Sequence, residues 1–305
     1  MAMNSGHLPE RETMISVKLA TRPARHRGIM FAVLAITGLL VAGNQVSSAH
    51  AATVRTAHAT AATDTSAPKP TIVLVHGAWA DSGSWNAVTA LLQAAGYTVD
   101  APPNPLRGLS YDSSYLADFL STISGPVVLV GHSYGGMVIT NAATGNPNVK
   151  ALVYDDAYIP AATDTLLGLT SAEPGSCLAV SPAPFNVVPY PGAPSGDADL
   201  YVKQSVFPGC FANGLPAAKA SVLAATQRPL AASTLTEPSG TPAWKSIPSW
   251  AIIGTADHVI PLAEQLNMAR NAGAHVTEIN APHLSMISDP GAVAAVIIRA
   301  ARAAG

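Results

Sequence analysis

The chain has 305 residues, 49% of them hydrophobic and only 11% charged, which is ample for a sizeable core in one large domain or two small ones. The net charge is −2, and no basic tract is dense enough to follow a phosphate backbone, so nucleic-acid binding is disfavoured.

Five basic residues (Arg11, Lys18, Arg22, Arg25 and Arg27) precede the apolar run "IMFAVLAITGLLVAG" (29–43), and "SSAHAAT" follows it. This is the order of a secretory signal peptide, with Ala49-His50-Ala51 in the small-x-small form of a cleavage site. An apolar run of about fifteen residues is short for a membrane span, and an uncleaved anchor helix is the alternative. Arg25-His26-Arg27 is not a twin-arginine pair, and no cysteine follows the run, so the general secretory route without a lipid anchor is expected. Residues 1–51 then form the signal peptide, and the mature protein is secreted, soluble and free of the membrane. Residues 52–70 have no period and few large apolar side chains, and read as a flexible leader.

From Thr71 the texture changes. "TIVLV" (71–75) is a continuous apolar strand, and "SWNAVTALLQAAG" (84–96) is a helix with Trp85, Val88, Leu91 and Leu92 on one face. "YTVDAP" (97–102) is a weaker strand, and "SYDSSYLADFLSTI" (110–123) sets Tyr111, Tyr115, Phe119 and Ile123 at helical spacing. Then follow strand "PVVLVG" (126–131), helix "YGGMVITNAAT" (134–144) and strand "KALVYDDAY" (150–158). The pattern closes with strand 249–254, helix 262–272, strand 275–280 and helix 290–304. Such alternation implies an α/β, doubly wound, mostly parallel sheet of about six strands with helices on both faces. Between about 160 and 247 the alternation breaks into a stretch rich in Pro, Ala, Gly and Ser. It is too long for a structureless loop and reads as a small, mostly helical insertion in a domain spanning 71–305.

Gly131-His132-Ser133-Tyr134-Gly135 lies where an apolar strand meets a helix. The bare pattern decides little; the strand–turn–helix setting is the one that strains a serine and exposes its hydroxyl as a nucleophile. A serine needs a base. His58 falls in the leader, His76 and His132 read as structural or supporting, and His275 opens a strand as a solvated residue. His258 shares the loop that offers the acid. His283, in "INAPHLSM" past the last strand, shares the carboxyl edge of the sheet with Ser133 and is the expected base. Asp257, in "SWAIIGTADHVIP", is the expected acid. Its plain alternative is a helix cap, and Asp156 or Asp155 is the rival acid. Backbone N–H groups of Ala78 and Tyr134 are placed to serve an oxyanion. Trp79 reads as core or pocket wall, and Trp85 as core.

Together "VLVHGAW", "GHSYGG", "GTADHVIP" and "APHLSM" resemble the α/β-hydrolase superfamily, nearest its plant-esterase and hydroxynitrile-lyase branch and related bacterial esterases. The resemblance covers roughly 71–158 and 248–304. It implies a lid over the site, no cofactor, no metal, and hydrolysis of a small-molecule ester through an acyl-enzyme on Ser133, His283 and Asp257. Serine at 133 excludes dehalogenase and epoxide-hydrolase chemistry, which need aspartate there. Gly77 and Leu284 depart from the hydroxynitrile-lyase pattern, which has threonine and lysine at these places. Perhydrolase, lactonase and amidase chemistry stay open, as does a non-catalytic binding protein on the same fold. Cys177 and Cys210 are the only cysteines, both in the expected lid. In an oxidising compartment such a pair bridges, with two free buried thiols as the alternative. Oligomeric state is not legible.

Overall fold

The computed structural model describes residues 69–179 and 184–304. The expected signal peptide and all but the last two residues of the expected leader lie outside the described residues.

Strand β1 (Thr71–Val75) leads through a 3-10 turn (Ser82–Trp85) into α1 (Asn86–Ala94). The buried side of this segment is Trp85, Val88 and Leu92, spaced three and four apart as a helix face requires. Leu91, read with that face, points outward. The edge strand β2 (Val99–Asp100) follows, then α2 (Leu109–Ser121). Of the four residues noted at helical spacing, Phe119 and Ile123 pack against the core and the two tyrosines do not. Tyr111 and Tyr115 are 60% and 42% exposed, while Leu109, Asp112, Ser113, Leu116 and Leu120 are buried. Two stripes run along this helix. The compact leucine stripe packs into the core, and the amphipathic tyrosines tolerate water.

Strand β3 (Val127–His132) is buried at every position, and only Ser133 and Tyr134 separate it from α3 (Gly135–Ala142). Strand β4 (Val149–Asp155) is followed by an insertion that carries α4 (Leu166–Ala172), β5 (Phe185–Val188), β6 (Asp199–Val202), α5 (Ala217–Thr226) and β7 (Leu230–Ala231). The chain then returns with β8 (Ser249–Gly254), α6 (Leu262–Asn271), β9 (His275–Ile279), the short α7 (Ser285–Ser288) and α8 (Pro290–Ala303).

All six expected strands form one parallel sheet, in the order β2-β1-β3-β4-β8-β9. The strand order reverses between β1 and β3, so their carboxyl ends flank the crevice where open α/β sheets place ligands. The insertion is not simply helical: β5, β6 and β7 form a three-stranded antiparallel sheet. Strands of two to four residues are too short to show an alternating pattern, and their pairing is made across long sequence separations.

Cys177 and Cys210 form a disulfide with their Cα atoms 5.7 Å apart, stapling the end of α4 to the segment before α5. Strand β6 holds the insertion to the body twice. The Arg107 guanidinium donates to Asp199 at 2.6 Å, and the Trp79 indole N–H donates to the Leu200 carbonyl at 2.8 Å. Among the described residues no helix is long and apolar enough to cross a membrane.

The turn from β3 into α3 passes β1 at close range. A Cβ on Gly135 would lie 2.6 Å from the Val75 carbonyl oxygen, and one on Gly131 would lie 2.6 Å from the Gly135 carbonyl. Both obstacles are backbone, which cannot rotate away. Gly135→Ala is expected to lose about 1–3 kcal/mol of stability through overpacking. Gly209→Ala, where nothing lies within 4 Å, is expected to change little. Urea unfolding midpoints of the two variants check the contrast.

Candidate active site

Ser133 occupies the turn between β3 and α3 with φ of +53°, a left-handed conformation rare for a residue with a side chain. Backbone bonds hold it there: its N–H donates to the Asp155 carbonyl at 3.3 Å, and its carbonyl accepts from Gly136 at 2.9 Å and Tyr158 at 3.2 Å. Gly77 crosses directly opposite; a Cβ there would meet the Ser133 Cβ at 2.7 Å.

The Ser133 Oγ lies 3.1 Å from His283 Nε2, and His283 Nδ1 lies 2.8 Å from Asp257 Oδ2. Both the serine and the histidine are almost wholly buried. With Nδ1–H donating to the carboxylate, Nε2 is left free to accept the serine proton. Asp257 is not the cap of α6 that its alternative reading expected, since that cap is Pro261 and takes no side-chain bond. Asp257 Oδ1 accepts the N–H groups of Val259 at 2.7 Å and Ile260 at 3.0 Å, ordering the turn ahead of α6. Its Oδ2 accepts from Gln265 Nε2 at 2.9 Å as well as from the imidazole. Gln265 went unremarked in the sequence, since nothing short of the folded loop joins it to Asp257.

The rival carboxyls are close but turned elsewhere. Asp155 Oδ1 accepts the Ser285 hydroxyl at 2.8 Å, and Asp156 Oδ1 accepts the Gly254 N–H at 2.5 Å. Each has a second oxygen with no partner among the described residues. Burial pushes Asp155 up to about 7, with the Asp257 charge adding to the rise and the Ser285 hydroxyl opposing it. Burial, then the charges of Asp155 and Asp257, holds Asp156 well above the usual carboxylate range. Three buried carboxyls in one place cannot all ionise, and the one facing the imidazole has by far the best charge partner.

The other histidines stand as structural groups. His76 Nδ1–H donates to the Gly77 carbonyl at 2.8 Å, its Nε2 accepts the Asn104 N–H at 2.9 Å, and burial brings it down to about 4. His132 Nε2–H donates to the His283 carbonyl at 2.9 Å, and burial keeps it neutral. His275 is exposed, and His258 meets the Gly209 carbonyl at 3.2 Å. His58 lies outside the described residues.

Ala78 and Tyr134 line one cavity with Ser133. Among the described residues, neither backbone N–H donates to a backbone carbonyl. The Tyr134 hydroxyl donates to buried Asp112 at 2.8 Å. Trp79, Tyr158, Leu166, Leu178, Phe185 and Val259 are among the walls of this cavity. No charged side chain lines it among the described residues. Within it, the Tyr158 hydroxyl and Thr170 Oγ1 pair at 2.8 Å. Trp85 is core, as expected, and Trp79 is pocket wall. The insertion supplies Phe211, whose ring meets the His283 ring edge-on at 5.0 Å. No sequence signal pointed to it. Among the described residues no group of three or more His, Cys, Asp or Glu is placed to hold a metal ion.

Residues 72–296 match the Alpha/beta hydrolase family. The chain belongs to that family. The carbendazim hydrolyzing esterase of Nocardioides sp. (strain SG-4G) is 39% identical over 110 residues, 32% of this chain and 46% of that protein. The pyrethroid hydrolase of Sphingobium wenxiniae is 34% identical over 102 residues, 30% of this chain and 36% of that protein. The matched segment therefore spans less than half the length of these curated relatives. Tomato methylketone synthase I, solved with 2-tridecanone, shares the fold with a TM-score of 0.64 at 22% identity, covering 78% of this chain and all of that one. The likeness to plant and bacterial members of the α/β-hydrolase superfamily is thus as the motifs implied.

The unfolded chain ionises Asp155 near its ordinary value of about 4, while the fold holds its proton to about 7. Between those values the native state of this α/β hydrolase binds more protons than the unfolded state. The contribution of Asp155 to stability is therefore complete below about pH 4 and is lost as the pH rises to about 7. Asp155→Asn, which cannot ionise, removes this slope. Urea midpoints across that window are expected to show the variant gaining on the wild type as pH rises, then levelling off. A constant gap rules the assignment out.

Proposed function

We infer that this α/β hydrolase is a secreted serine carboxylesterase that cleaves uncharged, apolar small-molecule esters. The carrying observation is the relay Ser133–His283–Asp257, at 3.1 and 2.8 Å, opening on a cavity with no charged wall.

The geometry supports a two-step acyl transfer. His283 Nε2 takes the Ser133 proton as Oγ bonds to the ester carbonyl carbon. The carbonyl oxygen gains the negative charge and receives the N–H groups of Ala78 and Tyr134. Collapse of this intermediate breaks the bond to the leaving alcohol, which takes the proton back from His283. Water then loses a proton to the same Nε2 and attacks the acyl carbon; the bond to Ser133 Oγ breaks, Oγ takes the proton back from His283, and the acid leaves. Asp257 keeps the imidazole in the Nδ1–H tautomer and stabilises it while charged. The names of the two curated relatives, an esterase and a pyrethroid hydrolase, support hydrolysis of small molecules. Export is supported by the basic–apolar–small order of the first 51 residues and by the Cys177–Cys210 bridge, a bond that persists in oxidising compartments.

A fluorophosphonate is expected to label Ser133 in the wild type and leave Ser133→Ala unlabelled. Ser133→Ala is expected to lose on the order of 10⁴-fold or more in nitrophenyl-ester turnover while its circular dichroism stays native. Near-wild-type turnover in that variant ends the mechanism.

The acid is tested separately. Asp257→Asn stabilises the wrong imidazole tautomer and is expected to lose roughly 10⁴-fold in kcat. Asp156→Asn is expected to stay within about tenfold of the wild type, since its carboxyl does not touch the imidazole. The reverse ranking identifies Asp156 as the acid.

A further inference from the structure

A second cavity lies beside the one that holds Ser133. It is small and partly open to solvent, and its walls mix apolar side chains (Phe207, Phe211, Leu223 and Leu284) with polar ones (Asp81 and Gln227). Among the described residues, Trp79 alone lines both cavities. Phe185, which stacks on the Trp79 indole at 5.3 Å, belongs to the first cavity. Phe211, which meets the same indole edge-on at 5.9 Å, belongs to the second. The indole therefore stands between the two spaces, with phenylalanines on either side of it.

The ring is held in place. The Trp79 backbone has φ of +55°, which sets the direction in which the side chain leaves the chain. The indole N–H is anchored on the Leu200 carbonyl of β6 at 2.8 Å, and the ring is 5% exposed. The second cavity also reaches toward the chemistry. Leu284 is the neighbour of His283, and Phe211 touches the His283 ring at 5.0 Å. The Trp79 side chain thus lies between the Ser133 cavity and the apolar cluster of Phe207, Phe211, Leu223 and Leu284.

We propose that Trp79 is the specificity-determining residue of this site: a partition that limits the apolar chain of the ester to the first cavity, with the second as a subsite that opens when the indole is removed or turned. The ligand class is a neutral ester carrying a long linear alkyl or acyl chain. The inference rests on the serine-hydrolase reading above. Hydrophobic pockets discriminate by about 10–200-fold for small changes in fit, so the effect is measurable.

The test is kcat/KM for nitrophenyl acetate, butyrate, octanoate and dodecanoate in the wild type, Trp79→Ala and Trp79→Phe. Trp79→Ala is expected to raise the dodecanoate-to-acetate ratio by about tenfold or more, chiefly through KM. Trp79→Phe keeps a ring between the cavities and is expected to stay within about threefold of the wild-type ratio. Should Trp79→Ala not fold, Trp79→Leu carries the same expectation as the alanine variant. A loss shared equally by all four esters overturns the partition, because a purely structural tryptophan lowers every rate and leaves the ratio alone. Fluorophosphonate labelling of Ser133 separates this from failure of the underlying reading. A wild type that neither labels nor turns over acetate overturns the reading and the partition together. A labelled, active enzyme with an unmoved ratio overturns the partition alone.

Discussion

The left-handed backbone at Ser133 is the constraint from which the rest of the site follows. A side-chain residue at φ of +53° costs on the order of 1–3 kcal/mol, and it persists only where neighbours leave the chain no other path. Here they do. The Ser133 N–H donates to Asp155, and its carbonyl accepts from Gly136 and Tyr158, which fastens the turn on both sides. Glycines at 131 and 135 let β3 and α3 pass each other and β1 at distances no Cβ allows. The turn then sits at the carboxyl ends of β1 and β3, where the strand order reverses. Loops after β1, β8 and β9 bring Ala78, Asp257 and His283 to the same edge without long excursions.

Charge is arranged around that turn by depth. Three aspartates are buried near one imidazole, and only Asp257 has its carboxylate on it. Asp155 and Asp156 are turned onto a hydroxyl and a backbone N–H, and burial raises both. The raised carboxyls of Asp155 and Asp156 hold their protons to higher pH, which weakens their competition with Asp257 for His283. The neutral His132 adds a rigid support, since its N–H holds the carbonyl of the proposed base. The site thus combines one carboxyl hydrogen-bonded to the imidazole with two neighbours whose ionisation burial opposes.

One strand of the insertion, β6, braces the segments on either side of the serine. Trp79 follows Ala78 in the chain, and its indole is anchored on Leu200. The Tyr134 hydroxyl reaches Asp112, whose other oxygen accepts the Arg107 N–H at 3.0 Å, and the Arg107 guanidinium meets Asp199. Adjacent residues of β6 therefore brace the two segments that carry the proposed oxyanion donors. The same insertion supplies Phe185, Leu178 and Leu166 to one cavity and Phe207 and Phe211 to the other. The parallel sheet places the reacting groups, and the insertion decides the shape of what reaches them.

The sequence by itself determined the six-stranded sheet, its flanking helices and the meeting of Ser133, His283 and Asp257. These signals are local: apolar runs, helical spacing, and polar residues just past strand ends, where a parallel sheet gathers whatever its loops carry. Glycine spacing around Ser133 was equally local, because close backbone passage excludes any other residue. Only the tertiary structure decided which stripe of α2 faces inward, since 109–120 offers leucines and tyrosines at compatible spacing and the choice depends on what packs against them. Only it decided that the insertion pairs short strands into a sheet, and that Cys177 and Cys210 come within bridging distance. Phe211 and Gln265 reach the site from afar in the chain, and Trp79 separates two cavities that exist only once the insertion is in place. Contacts of that kind follow from three-dimensional proximity between segments whose own patterns are weak, and no period along the chain encodes them.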